Sequence, residues 1–138
     1  MADVLLVDDN GSVLLTLAIA LRRRGHAVTM SSEGTQALAY LRQHRFDFLI
    51  SDVRMPGMSG IQLATYVKQL PDPPHIILTS AYSTLEAREG LAEAFLRKPI
   101  DIAQLDTILS HLSQLACEKS HQHSSHEPQH AERVRQWG

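Results

Sequence analysis

Hydrophobic positions along this chain come in two alternating rhythms, short unbroken runs and longer stripes at helical spacing. Val4-Leu5-Leu6-Val7 is apolar at every position and stops at Asp8-Asp9-Asn10, which predicts a strand buried on both faces. Val13 to Arg24 spaces Val13, Leu14, Leu17 and Leu21 as one stripe, a helix with Ser12 placed to cap it. Arg22-Arg23-Arg24 followed by Gly25 predicts the helix end, with cations at the negative pole and then a residue that tolerates the left-handed conformation. His26 to Ser31 is a second, less apolar strand and a candidate sheet edge. Ser32 to Gln43 is a second helix, with Ala37, Leu38 and Leu41 inward. Asp47 to Ser51 is the third strand, and Ser59 to Leu70 a third helix stopped by Pro71-Asp72-Pro73-Pro74. His75 to Thr79 is the fourth strand, Ser83 to about Glu93 a short helix, and Ala94 to Arg97 a fifth strand. Ile100 to Ala116 is the last helix, with Ile102, Leu105, Ile108, Leu109 and Leu112 on one side.

Strict alternation of strand and helix implies an α/β domain, a parallel sheet covered by helices on both faces. Right-handed crossovers leave few topologies, and ligands then bind at the carboxyl ends of the strands, where the strand order switches. From Cys117 onward, "CEKSHQHSSHEPQHAERVRQWG" is polar, holds His121, His123, His126 and His130, and lacks an apolar stripe. Residues 1–116 are therefore expected to form the domain, and residues 117–138 a disordered His-rich tail or linker.

Composition narrows the class. A length of 138 residues suits one domain, and 43% hydrophobic residues suffice for a core. A formal charge of −2 gives no basis for general nucleic-acid binding. Cys117, the single cysteine, allows no internal disulfide and fits a reducing compartment. The start lacks a basic signal-peptide region, and no apolar stretch approaches membrane-spanning length. The expectation is a cytoplasmic protein with no membrane partner.

The chemistry lies at the strand ends. In a parallel sheet, Asp8-Asp9, Asp52, Thr79-Ser80 and Lys98-Pro99 converge on one edge. Three carboxylates that close repel one another unless cations intervene, and a hard divalent cation such as Mg2+ suits oxygen ligands. Together with the Lys98 ammonium and a hydroxyl, such a site is built to hold a phosphoryl group. No Gly-rich phosphate loop is present, so the phosphoryl group is expected on the protein itself, on Asp52 as carboxylate nucleophile. Taken singly, Asp8-Asp9 read as caps, Ser80 and Lys98-Pro99 as turn residues, and Phe95 as core; their common placement is what argues otherwise.

The set resembles the receiver domain of two-component response regulators, of the chemotaxis-regulator and nitrogen-regulator kind. The matching residues are Asp8-Asp9 after VLLV, "DVRMPGMSG" from Asp52, "TSAY" from Thr79 and "FLRKP" from Phe95, over about residues 3 to 115. The resemblance implies a flavodoxin-like (βα)5 doubly wound sheet in the order 2-1-3-4-5. It implies phosphorylation of Asp52 by a sensor histidine kinase or histidine phosphotransfer protein, with Mg2+ or Mn2+ as cofactor. By resemblance, Asp9 is a direct metal ligand, Asp8 holds a metal-bound water, Asp52 is phosphoacceptor and ligand, and the Arg54 backbone carbonyl completes the metal site. Lys98 pairs with the phosphoryl oxygens, Pro99 follows it through a cis peptide, and Phe95 is the switch aromatic. Family spacing from Asp52 lands on Ser80 as the switch hydroxyl, with Thr79 the alternative.

The chain departs from the family between Ser80 and Lys98, where it is several residues shorter. The fourth helix is expected to lose about a turn, at roughly 3.6 residues per turn. In the family, the face made by helix four, strand five and helix five carries dimerisation and output, so a homodimer there is an expectation that the deletion bears on. Two other readings stand beside this one: a receiver-like interaction module with an atypical output surface, and a small aspartyl-phosphate phosphatase. No output domain or direct nucleic-acid binding is legible in the chain.

Overall fold

The computed structural model describes residues 2–81 and 90–124. The elements run β1 (Asp3–Val7), α1 (Gly11–Arg23), β2 (Ala27–Ser31), α2 (Gly34–Gln43), β3 (Phe48–Asp52), α3 (Gly60–Val67), β4 (His75–Ser80), β5 (Ala94–Arg97) and α4 (Ile102–Ser124). All strand pairs are parallel, in the order β2-β1-β3-β4-β5, as the resemblance implies. The less apolar β2 is an edge, and the fully buried β3 lies inside the sheet.

Residues 1–102 and 103–138 form two units. In the first, strand alternation divides the sheet's side chains between two faces. Leu5, Val7, Leu49, Ile76 and Leu78 face α2 and α3, packing with Leu38, Leu41, Leu63, Ala64 and Val67. Val4, Leu6, Ile50 and Ile77 have the opposite parity, on the side where α1 brings Leu14, Leu17, Ala18 and Leu21. The second unit carries its own buried row, Leu105, Leu109 and Leu112, at the spacing of one helix face.

Several boundaries move from their sequence positions, each for a local reason. β3 includes Asp52 itself, because Asp52 pairs with Thr79 and the Val53 N–H continues the ladder to the Thr79 carbonyl at 2.8 Å. The cap of α1 is Asn10 and not Ser12: Asn10 Oδ1 accepts from Ser12 N (3.0 Å) and Val13 N (3.2 Å), so the helix starts earlier. Past Val67 the chain tightens, with Gln69 N bonding Tyr66 O and Leu70 N bonding Val67 O, three residues back, before the prolines. At the end of α1, Gly25 takes φ +92, the left-handed stop.

The predicted fourth helix falls mostly on residues 83–89, outside the described residues, and residues 90–93 form a turn. Leu91 and Ala92 of that turn pack against the α2–α3 side of the core. The last helix also runs longer than its expected end. α4 continues through Ser124 instead of ending at Ala116, since Glu118, Lys119 and Gln122 are good helix formers and no Gly or Pro interrupts the segment. The segment after Ala116 lacks an apolar stripe, and a helix ladder needs none to continue. Residues 125–138 lie outside the described residues.

Candidate functional site

The parallel register fixes which groups meet. Val7 pairs with Ser51, Asp52 with Thr79, and Ser80 with Arg97, so every strand leaves the sheet at one edge. Just beyond it stand Asp8-Asp9 after β1, Asp52 at the tip of β3, Thr79-Ser80 at the tip of β4 and Lys98 after β5. Backbone bonds extend the ladder past the strand ends: Asp8 N to Ser31 O at 3.2 Å and Lys98 N to Ser80 O at 2.8 Å. Asp8, Asp52 and Lys98 are therefore held by the sheet's own hydrogen bonds.

Lys98 Nζ lies 2.8 Å from Asp8 Oδ2 and 3.2 Å from Asp52 Oδ2. One carboxylate oxygen from each of Asp8, Asp9 and Asp52 can be chosen so that all lie within 4.8 Å of one another. Asp8 and Asp52 are buried, with 2% and 7% of their surface exposed, while Asp9 faces solvent. Asp8 is oriented by a second bond, in which its Oδ1 accepts from the Asn10 N–H at 2.9 Å. The residue that caps α1 thus also aims an acid of the site. Asp52 in turn accepts from the Arg54 backbone N–H.

Burial raises the pKa of Asp52 above 3.8; Lys98, by hydrogen bond and by charge, opposes the rise, and Asp8 adds like-charge repulsion. Burial alone would lower the pKa of Lys98, but hydrogen bonds and charge from Asp8 and Asp52 outweigh it, so Lys98 rises above 10.5. Three carboxylates beside one ammonium, which pairs with Asp8 and Asp52, leave a formal excess of two negative charges. An all-oxygen donor set with that excess fits a hard divalent cation.

Asp8, Asp9, Asp52 and Lys98 come together at this edge, Thr79 and Ser80 end β4, and the Lys98-Pro99 peptide is cis. Thr79 and Ser80 are both buried, and alternation sends them to opposite faces. Thr79 shares the parity of its register partner Asp52. Ser80 shares the parity of Leu78, the register partner of Phe95. Phe95 is half-buried, packed against the α2–α3 side of the core. In the loop after β3, Gly57 takes φ +75 and turns the chain toward α3, which opens on a capping box between Ser59 and Gln62.

One residue of this neighbourhood was matched in the sequence only as the end of the motif "DVRMPGMSG", with no role of its own. Gly60, the first residue of α3, lies directly against the backbone of Asp52. The signal available for it is a weak helix former placed in a first turn without a turn to explain it.

The chain matches the model of the response regulator receiver domain over residues 4–110. The transcriptional regulatory protein ZraR of Escherichia coli is 37% identical over 111 residues, which are 78% of this chain and 25% of ZraR. Among solved structures, the chemotaxis response regulator CheY4 of Vibrio cholerae is similar at a TM-score of 0.73 and 32% identity, covering 80% of this chain and 98% of CheY4. The response regulator TrrA of Thermotoga maritima, solved in complex with Mg2+-BeF, is similar at a TM-score of 0.75 and 26% identity, covering 81% of this chain and 99% of TrrA. The chain spans between about a quarter and a half of the length of the curated relatives it matches. With the acidic edge, the lysine and the 2-1-3-4-5 sheet carried by the same residues that the family model matches, this chain belongs to the response regulator receiver domains of two-component signal transduction.

Proposed function

We propose that Asp52 accepts a phosphoryl group from a phosphohistidine on a sensor histidine kinase or histidine phosphotransfer protein. The observation that carries this is the placement of Lys98 Nζ between Asp8 and Asp52, with Asp9 beside them. An Asp52 carboxylate oxygen attacks phosphorus; the new P–O bond forms as the P–N bond to imidazole breaks. The imidazole nitrogen keeps the electron pair and takes a proton from solvent. Lys98 remains protonated and meets the phosphoryl oxygens, exchanging part of its contact with the acids for them. Asp8, Asp9, Asp52 and the Arg54 backbone carbonyl would hold Mg2+ or Mn2+, which supplies neutralisation of negative charge on the acids and the phosphoryl group. Hydrolysis reverses the modification: water attacks phosphorus, the P–O bond to Asp52 breaks, and the carboxylate and inorganic phosphate separate. The domain acts on its own acyl phosphate and is not a turnover enzyme.

Ser80 is the switch hydroxyl in this reading, because it shares a sheet face with Phe95. Its movement toward the phosphoryl group frees space on the side where Phe95 packs. Beside Lys98 lies a groove of about 480 Å³ lined by Ser12, Val13, Thr16, Leu17, Pro99 and Ile100. Leu15 and Ile19 stand exposed on the same helix. A helix of the phosphodonor is the occupant we assign to this surface, since it adjoins the lysine that would meet the donated group. A homodimer through strand five and the segments flanking it remains part of the proposal, as does a receiver domain of residues 1–116 with residues 117–138 as tail or linker, its first part continuing α4 through Ser124. The cytoplasm is the compartment of this reading; among the described residues no helix is long and apolar enough to cross a membrane.

The test is incubation with acetyl phosphate, with and without Mg2+, reading the intact mass of the parent and of Asp52→Asn. The parent gains one phosphoryl group only with the metal, and Asp52→Asn gains none. Equal modification of both proteins would sink the proposal.

A further inference from the structure

Among the described residues three helices open on glycine, and what each glycine faces differs. A Cβ on Gly11 would meet nothing within 4 Å, and one on Gly34 would press mainly on the Met58 side chain. A Cβ on Gly60 would overlap the carbonyl oxygen of Asp52, and would stand 2.9 Å from both the Asp52 carbonyl carbon and the Val53 Cα. These are backbone atoms and cannot rotate away as a side chain can. The approach is pinned from both sides. The Gly60 N–H donates to the Val53 carbonyl at 2.8 Å, and the Val53 N–H donates to the Thr79 carbonyl at 2.8 Å. Behind Gly60, Leu63, Ala64 and Val67 anchor α3 in the core.

We infer that Gly60 is a positioning residue for phosphoryl acceptance: its missing side chain sets how closely α3 approaches the Asp52 peptide, and so where the Asp52 carboxylate stands relative to Lys98. This rests on the reading of Asp52 as phosphoacceptor. A methyl group at residue 60 has to be absorbed either by α3, held by its buried residues, or by the peptide of Asp52, whose side chain ends at the site. The second path carries the displacement, because Asp52 is the last residue of β3 and, past the buried Val53, the chain is exposed at Arg54, Pro56 and Gly57. A displacement of an ångström at a reacting group costs on the order of a hundredfold in rate, so a partial one is expected to cost about tenfold.

The experiment compares the parent, Asp52→Asn, Gly60→Ala and Val67→Ala, the last removing buried volume from the same helix away from Asp52. Thermal melts establish that each is folded at the assay temperature. Phosphorylation by acetyl phosphate with Mg2+ gives the rate at saturation and the half-saturating concentration. Amide spectra of the metal-free proteins report the backbone at residues 52 and 53. Gly60→Ala is expected to be folded, to lose about tenfold in saturating rate with a half-saturating concentration within about twofold of the parent, and to shift the Asp52 and Val53 amides. Val67→Ala is expected to melt earlier yet react at the parent's rate per folded molecule.

A folded Gly60→Ala that reacts within about twofold of the parent overturns the inference, as does a Val67→Ala slowed to the same degree. A Gly60→Ala that fails to fold even in the cold overturns it as well, because the crowding is then not absorbed at Asp52. A parent that takes up no phosphoryl group overturns instead the reading of Asp52 on which the inference rests.

Discussion

Asp52 is held at a cost even before a phosphoryl group arrives. Burial raises its pKa above 3.8, so the folded chain binds that proton more tightly than the unfolded chain does. Stability therefore falls as pH rises from about 3.8 through the raised value, and the deficit persists at neutral pH. Asp47, raised chiefly by burial as well, works in the same direction. In metal-free buffer at neutral pH, Asp52→Asn is expected to be more stable than the parent by about 1 kcal/mol, a rise of roughly 4 °C in melting temperature. The gain fades as pH falls below 3.8, where both forms of residue 52 are uncharged; melts across that range check it. Lys98 limits the deficit by pairing with Asp52 and Asp8. At this scale, Asp8, Asp9, Asp52 and Lys98 were legible because a charged residue directly after an apolar strand is conspicuous. Asn10 and Gly60 were not, because their effect lies in what they touch: an amide cap that also steers Asp8, and a side chain whose absence makes room for Asp52.

Among the elements, β4 and β5 show how the short connection between them is fastened. The Glu93 N–H donates to the Ile76 carbonyl at 2.9 Å, and Glu93 Oε2 accepts from the Ile76 N–H at 2.8 Å. The same oxygen lies 3.1 Å from His75 Nδ1, so one side chain ties the entry of β5 to the entry of β4. Glu93→Ala leaves the Ile76 N–H without that acceptor and is expected to cost about 1–3 kcal/mol, seen as a lower denaturant midpoint. Its rate with acetyl phosphate is expected to stay at the parent's, because Glu93 sits at the amino edge of the sheet, opposite the acids. Strands and helices were readable from their two periodicities wherever burial wrote them. The order 2-1-3-4-5 was not, since alternation alone permits several orders and the family resemblance supplied it. The continuation of α4 past Ala116 was missed because backbone bonding, not an apolar stripe, sustains it. The Glu93 fastening has no sequence period at all.

For the whole molecule, the receiver's two tasks map to adjacent places. In the proposed function, chemistry belongs to the carboxyl edge and donor recognition to the exposed apolar side of α1 beside it. The two separate experimentally. Leu15→Gln, at a side chain 50% exposed, is expected to leave reaction with acetyl phosphate unchanged and to slow transfer from a phosphorylated histidine donor by about tenfold, a loss of roughly 1.4 kcal/mol. An equal change in both reactions would instead place Leu15 in the fold or the chemistry. The central claim is that Asp52, among three neighbouring acids, carries the phosphoryl group, and its most direct test is chemical mapping. The protein is phosphorylated with acetyl phosphate and Mg2+, reduced with borohydride so that an aspartyl phosphate becomes homoserine, and sequenced as peptides. The account predicts homoserine at residue 52 alone; homoserine at residue 8 or 9, or none while the protein is labelled, would contradict it.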